Sequence, residues 1–316
     1  MRIMVTGGAG FIGSHLTDAL LGRGDEVRVV DDLSEGRASR LHEKAVLFQR
    51  SIMHAKELAA LVEDVRPELI CHLAAQIDVR ASVKFPANDA RVNVIGTINV
   101  LEAARGADAR VLFCSSGGAL YGRDAPVPSP ESVPPVPESP YGTAKSCAEQ
   151  YIGLENRLHG TCHAVLRLAN VYGPRQRPSG EAAVIPRFCS RALRGQQPII
   201  YGDGRQTRDF VYISDVVEAF LAAADCGMPG MWNIGTGVEV SVLDLAAVIG
   251  EISGRPFDPE FAPSRVGELE RSAVSAELAR RDLGWCPVTP LAEGVRAVCR
   301  WIENGAHDRE DLSTAG

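Results

Sequence analysis

Tyr141 and Lys145 stand four residues apart in Tyr141-Gly142-Thr143-Ala144-Lys145, a spacing suited to acid–base chemistry. On a helix, positions four apart share a face, with Cβ atoms about 5–6 Å apart. Lys145 can therefore hold its ammonium near the Tyr141 phenol. A free tyrosine ionises near pH ~10 and is a poor base at neutral pH. A cation at about 5 Å, in an effective dielectric near ~20, is worth about 3 kcal/mol. That equals roughly two pKa units, and a positively charged cofactor nearby would add more. Tyr141 is thus expected to act as a general acid/base near neutral pH. The competing reading is an ordinary helix start with Pro140 at its edge, and only the rest of the chain separates the two.

The elements that must position this pair begin at the N-terminus. Arg2–Thr6 is a short apolar run that ends in Gly7-Gly8-Ala9-Gly10-Phe11-Ile12-Gly13, and a helical pattern follows. Strand, glycine turn and helix in that order are the context of a dinucleotide fingerprint. Gly7 allows the tight turn, Gly10 lets a pyrophosphate approach, and Gly13 lets helix pack on strand. The free N–H groups of the first helical turn then hold phosphate. A second strand, 26–32 (E-V-R-V-V-D-D), ends in Asp31-Asp32, about 20 residues downstream, where a carboxylate accepts from ribose hydroxyls. That carboxylate repels a 2′-phosphate, so NAD is expected over NADP. Further βα alternation places strands at 45–49, 68–74 and Arg110–Ser116 and helices at 55–63 and 88–105. The rhythm predicts an α/β fold, a doubly wound parallel sheet with ligands at the strand C-terminal ends. Ser115, Ser116 and the Ala74-Ala75-Gln76 turn lie at such ends. Seven prolines in 123–140 exclude helix and central strand there, which predicts a surface loop over the site.

Composition narrows the function classes. The 316 residues suffice for one large domain or two modest ones, and a net charge of −7 gives no footprint for nucleic acid or an anionic membrane. Eight scattered cysteines without a C-x-x-C pair read as thiols in a reducing compartment, not as a disulfide framework or a zinc site. Seven histidines without ligand spacing predict no metal. No apolar run approaches membrane-spanning length, so the expectation is a soluble, cytoplasmic protein.

In their order along the chain, these motifs resemble the extended short-chain dehydrogenase/reductase family, in its nucleotide-sugar epimerase branch. The resemblance is carried by the glycine turn, H-L-A-A at 72–75, S-S-G-G-A-L-Y-G at 115–122 and Y-G-T-A-K at 141–145. It continues through R-L-A-N-V-Y-G-P at 167–174, G-D-G-R-Q-T-R-D-F at 202–210 and R-V-G-E at 265–268. The implied fold is Rossmann-type, with a smaller α/β substrate domain. The implied activity is 4-epimerisation of a UDP-hexose of the UDP-glucose/UDP-galactose type, through a transient 4-keto intermediate, with NAD recycled. Tyr141 would be the acid/base and Lys145 its modulator. Phe11, Ile12, Asp31, Asp32, Ser51, Ile52, Leu73, Ala74, Ala75, Asn93, Ser115 and Lys145 would line the NAD cleft. Asn170, Arg208 and Arg265 would grip UDP, with Tyr201 near the uracil. Two arginines suit a diphosphate because the guanidinium fork binds phosphate oxygens bidentately.

Three positions depart from the family pattern. The slot that usually carries a Ser or Thr is Gly117, so either Ser116 or a water must contact the reacting hydroxyl. The usual Asp of the adenine-binding pair is Ser51. Where a bulky Tyr often faces the hexose stands Ser272, as in members that accept larger sugars such as UDP-N-acetylglucosamine. UDP-glucuronic acid, with Arg80 or Arg187 meeting the carboxylate, remains an alternative substrate. A dehydratase or decarboxylase is a further reading, though Gly118-Ala119 replaces a dehydratase's Asp-Glu pair. A non-enzymatic, NAD-binding regulatory protein is the other.

The expected organisation is an NAD-binding domain at 1–170 with returns near 207–235, a UDP-sugar domain at 171–206 and 236–304, and a frayed tail at 305–316. Helices are expected at 181–195, at 214–224 with Ser214 as cap, at 241–253 with Ser241 as cap, and at 291–304. Strands are expected at 198–201 and 231–234. The resemblance also implies a homodimer through helices 88–105 and 141–159.

Overall fold

The computed structural model describes residues 1–178, 183–255, 258–264 and 269–305. The first six strands are β1 (Arg2–Thr6), β2 (Glu26–Asp31), β3 (Val46–Gln49), β4 (Leu69–His72), β5 (Arg110–Ser116) and β6 (Ala164–Leu168). With Gly230–Ile234 they form one seven-stranded sheet. It runs from Gly230–Ile234 through β6, β5, β4, β1 and β2 to β3, and every neighbouring pair is parallel. Both faces are covered, which is why these strands read as continuous apolar runs. Ile3 and Val5 pack with α1 (Phe11–Gly22) and the Ile213–Cys226 helix on one face. Met4 packs with α2 (Ala55–Val65), the Gly96–Gly106 helix and the Pro140–His159 helix on the other. Strand order reverses between β1 and β4, so a crevice opens at their C-terminal ends, where doubly wound sheets bind ligands.

A third core gathers Tyr172, Ile185, Phe188, Ile200, Phe210, Leu245, Ile249, Val295, Val298 and Ile302. It is built by helices Val184–Leu193, Val242–Ser253 and Leu291–Glu303 with short strands at Ile199–Tyr201 and Phe210–Tyr212. Gly230–Ile234 returns to the main sheet as expected, and Ser241 caps its helix by accepting from Asp244 N at 3.0 Å.

Several local expectations are corrected. Ser214 is not a cap: the Phe210–Tyr212 strand feeds straight into the helix, whose N-cap is Tyr212. The single helix expected at 88–105 is Pro86–Ala90, then a widened π turn at Arg91–Ile95, then Gly96–Gly106. Helices Val79–Lys84 and Glu277–Leu283 were not anticipated. Of the expected tail only Gly305 is described, and residues 181–182 of the expected 181–195 helix lie outside the described residues. The proline-rich stretch is an ordered loop: Val136 N donates to Leu120 O (2.9 Å) and Ser129 N to Ala273 O (2.9 Å).

One buried ion pair ties the Pro140–His159 helix to the sheet. Arg167 of β6 grips Glu149 through Nε (3.0 and 3.1 Å) and Nη2 (2.6 Å), with both side chains 4% exposed. Glu149 also accepts from Ser115 Oγ of β5 at 2.6 Å, and Arg167 donates to Tyr121 Oη at 2.9 Å. Removing one partner of a buried pair strands the other charge at a cost of about 3–5 kcal/mol, whereas replacing both with apolar residues is often neutral. Urea denaturation of Glu149→Leu is expected to show a loss of that order, largely recovered in Glu149→Leu/Arg167→Met. A single-variant loss below about 1 kcal/mol, the range of exposed pairs, would contradict a buried pair.

Candidate active site

The Pro140–His159 helix starts where Ser139 accepts from Gly142 N at 3.1 Å, with Pro140 in its first turn. Tyr141 and Lys145 therefore sit one turn apart at its N-terminal end. Lys145 is 3% exposed. Its Nζ donates to the Cys114 carbonyl of β5 at 2.9 Å and lies 4.6 Å from the Phe113 ring centroid and 5.9 Å from that of Tyr141. The Tyr141 phenol faces the Ser116 side chain, two residues further along β5, which acts to lower its pKa. Ser116 thus supplies the hydroxyl missing at position 117. Gly117 itself leaves no room for one, since a Cβ there would stand 2.8 Å from Val274 Cγ1.

The expected drop in the Tyr141 pKa is not found in the protein alone. Burial pushes the phenol up, the Cys114 thiol and the Asp89 carboxylate push the same way, and the Ser116 side chain only partly offsets them. The ammonium is turned to Cys114 O and the Phe113 face, so its Coulomb contribution does not overcome desolvation. Burial likewise lowers the Lys145 pKa, opposed by Cys114, Glu149 and Asp89.

Across β4 from this pair, at the end of β1, lies the glycine turn. Gly7 has φ +71°, and a Cβ there would meet Ala74 N at 2.6 Å; one on Gly13 would meet Gly7 O at 2.1 Å. Only glycine lets the β1 turn approach the β4 turn and α1 this closely. Gly10 is the N-cap of α1 and offers no side chain, so the N–H groups of Phe11, Ile12 and Gly13 face the crevice without a side-chain cap. Asp31, 7% exposed, accepts from Ala9 N and Leu33 N, each at 2.9 Å. Burial raises its pKa, and those two N–H groups pull it back. Asp31 therefore also anchors the glycine turn itself. The donors fit a dinucleotide: a cradle that any Cβ would fill, main-chain N–H groups for phosphate, and a carboxylate at the end of β2.

Other expected cleft residues are placed as follows. Asp32 Oδ1 accepts from Ser34 N (3.0 Å) and Ser34 Oγ (2.6 Å), so it shapes its own turn. Ser51 Oγ accepts from Met53 N at 3.4 Å, and the Ile52 carbonyl accepts from Asn99 Nδ2 at 2.9 Å. Leu73 N donates to Thr6 O at 3.0 Å, which carries the β1–β4 pairing up to Ala74 and Ala75. Two side chains expected to touch NAD are otherwise engaged. The Ser115 hydroxyl points to Glu149, leaving main chain only at that position. Asn93, 2% exposed, gives Nδ2 to Gln76 O (2.9 Å) and Asp89 Oδ1 (3.0 Å) and takes Gln76 N on Oδ1 (3.0 Å). It shapes the 74–76 turn and has no amide hydrogen left for a ligand.

A line of contacts leads from the pair to the third core. A Cβ on Gly118 would lie 3.3 Å from Asn170 Oδ1; Asn170 N donates to Asp209 O (2.9 Å), and Asp209 N to Ser272 O (2.9 Å). Ser272 lines a small cleft with Gly117, Gly118, Tyr121 and Ala273. Arg208 Nη1 is committed to the carbonyls of Thr207 (2.7 Å) and Leu269 (2.8 Å), which fixes it beside the 269–272 segment. Tyr201 ends the Ile199–Tyr201 strand, half-buried, its carbonyl taken by Gln206 Nε2 at 2.8 Å. Arg265 lies outside the described residues. Among the described residues no cluster of His, Cys, Asp and Glu could hold a metal.

The sequence profile of the NAD dependent epimerase/dehydratase family matches residues 3–235. The chain belongs to this family. Among curated family members, it is 44% identical to the UDP-glucose 4-epimerase of Mycolicibacterium smegmatis over 311 residues, covering 96% of this chain and 99% of that one. Two solved structures superpose closely. The UDP-glucose 4-epimerase of Thermotoga maritima with UDP-glucose gives a TM-score of 0.95 at 42% identity, covering 97% of this chain and 100% of that one. The UDP-glucose 4-epimerase of Thermus thermophilus in complex with NAD gives 0.91 at 37% identity, covering 96% and 99%.

Glu149, Arg167 and Asp209 support the site yet carried no separate signal in the sequence. Glu149 was within reach of one: it follows Lys145 by the same four-residue step that separates Lys145 from Tyr141, so all three share a helix face. Ultraviolet difference titration of the nucleotide-free protein against Tyr141→Phe is expected to place Tyr141 ionisation above its ordinary value of about 10. A step near neutrality in that state would contradict the arrangement.

Proposed function

We propose that the protein is an NAD-dependent 4-epimerase acting on a UDP-hexose of the UDP-glucose/UDP-galactose type. The observation that carries this reading is the Tyr141 phenol, facing Ser116 at the C-terminal end of β5 and one turn from a buried Lys145, in the same sheet as a glycine cradle after β1. The relatives' names, and the UDP-glucose and NAD held by the two superposed structures, support it. The glycine turn and Asp31 would hold NAD, whose chemistry would be to accept a hydride from C4 of the sugar and return it. Tyr141 takes the C4 hydroxyl proton and later returns it to the same oxygen, so no proton leaves the site. Ser116 orients the phenol. Lys145, held by Cys114 O, keeps a positive charge beside it; with the charge that bound NAD would supply, this would offset the desolvation that keeps the phenol neutral in the protein alone. Asn170, Arg208 and Arg265 would bind the UDP moiety, with Tyr201 near the uracil. The third core, which gathers Ile185, Phe188, Ile200, Leu245, Val295 and Ile302, supports a UDP-sugar domain after residue 170, although it takes in Phe210 from the return near 207–235 and leaves Val274, Ala279 and Trp285 to the first core.

A second reading has its own observation: Ser272, with Gly117 and Gly118, leaves a cleft where a bulky side chain would close the space. An N-acetylated UDP-hexose is the substrate class that this room favours.

The partner we propose is a second copy of the chain. Ile95 (47% exposed) lies in the π turn, and Tyr151 (39%), Leu154 (37%) and Leu158 (65%) lie on the helix packed beside it. Such an apolar face fits a self-complementary interface. Sedimentation is expected to show two chains for the parent protein and one for Leu158→Glu; a monomeric parent excludes the dimer. We place the reaction in the cytoplasm, which fits eight free cysteines; no helix among the described residues is long and apolar enough to cross a membrane.

Chromatography of products from a panel of UDP-sugars, without added NAD, tests the activity. Interconversion of UDP-glucose and UDP-galactose is expected, with kcat falling about 10²–10⁴-fold in Tyr141→Phe. Ser272→Tyr is expected to suppress N-acetylated substrates selectively. Undiminished turnover in Tyr141→Phe refutes the assignment.

A further inference from the structure

His72, 1% exposed at the end of β4, belongs to no step above, yet it joins three elements of the cofactor cleft. Its Nδ1 is 2.7 Å from Thr6 Oγ1, at the end of β1, and its Nε2 is 3.1 Å from Thr97 Oγ1. Thr97 in turn donates to the Asn93 carbonyl at 2.7 Å, and Thr6 Oγ1 accepts from Ala74 N at 3.2 Å. The direction of every bond follows. A carbonyl only accepts, so the one Thr97 hydroxyl proton goes to Asn93 O, and Thr97 Oγ1 must accept from His72 Nε2–H. The Nδ1 atom of a neutral ring then accepts from the Thr6 hydroxyl. The chain reads Ala74 N–H to Thr6 to His72 on one side, and His72 to Thr97 to Asn93 on the other. Asn93 continues it into the 74–76 turn through both of its bonds to Gln76.

The surroundings hold the ring neutral. His72 pairs across the sheet with Phe113 and stacks on it at 5.4 Å, while the Lys145 ammonium sits 4.6 Å from the same Phe113 ring. Burial, and then that ammonium, push the His72 pKa down to about 3. The link therefore does not titrate in the physiological range. The widened turn at Arg91–Ile95 fits the same picture, since its Asn93 carbonyl is taken up by the Thr97 side chain. Turns of this type are frequent at functional sites.

We infer that His72 is a positioning residue for NAD: as the neutral Nε2–H tautomer it locks the Asn93 turn and the 74–76 turn to the glycine-loop strand, so that the cleft is formed before the dinucleotide enters. The inference rests on the NAD-dependent reading above. A preformed site binds more tightly because ordering is not charged against binding. Loss of the link therefore shows in cofactor retention more than in kcat at saturating NAD.

The test compares proteins as purified, followed by dialysis against NAD-free buffer with acid-released NAD counted per chain. An Asn amide overlays the Nδ1 side of an imidazole, and a Gln amide reaches the Nε2 position. His72→Asn, which keeps the Thr6 contact but drops Thr97, is expected to lose NAD at least tenfold faster than the parent, with the deficit in turnover largely removed by added NAD. His72→Gln, which keeps a donor to Thr97, is expected to stay near the parent. Thr97→Val, isosteric and without the hydroxyl, is expected to match His72→Asn and decides the matter if that variant does not fold. A parent that carries no NAD and binds none on addition overturns the NAD reading itself. A parent that holds NAD while His72→Asn and Thr97→Val release it at the parent rate overturns the inference alone, as does a Gln variant no better than Asn.

Discussion

The ammonium of Lys145 must stay charged inside the protein, and a helix lying along β5 arranges for that. Three successive contacts join helix to sheet at four-residue steps: Tyr141 facing Ser116, Lys145 bonded to the Cys114 carbonyl, and Glu149 bonded to Ser115 of β5 and Arg167 of β6. Because the contacts share one helix face, a shift of the helix along the strand would break all three together. Glu149 serves twice: it fixes the axial position of the helix, and its charge opposes the desolvation of Lys145 one turn away.

That arrangement makes the phenol a conditional base. Arithmetic with one cation at about 5 Å suggests some 3 kcal/mol in favour of phenolate. In the folded chain, however, burial and nearby acidic groups outweigh it, and Tyr141 stays neutral. A second positive charge would be needed beside the phenol, and the proposed cofactor would supply one. Proton transfer is then coupled to occupancy of the cleft, which suits a reaction whose 4-keto intermediate must not be released.

The sequence was most legible where a single residue type is physically forced. Glycine is the only residue that survives at positions 7 and 13, and those spacings predicted a tight dinucleotide-type turn after the first strand. The βα rhythm predicted a doubly wound parallel sheet. Legibility failed where the outcome depends on which of several partners a polar group meets. Asn93 and Ser115 are polar residues at the cleft, but their hydrogen bonds turn inward. Ser214 has the chemistry of a cap, yet the preceding strand enters the helix too directly to leave it that role. The Tyr141 pKa could not be read from Tyr-to-Lys spacing, because desolvation depends on the whole fold. The compensation between Gly117 and Ser116 became readable only once Val274, far away in sequence, was seen to fill the space.

The central claim is that hydrogen leaves and returns to C4 within one closed site, with Tyr141 moving only the hydroxyl proton. Converting UDP-glucose that carries deuterium at C4, with no NAD added, measures this directly. Complete retention of deuterium at C4 of the UDP-galactose formed is the predicted result. Washout of the label into water would contradict the account.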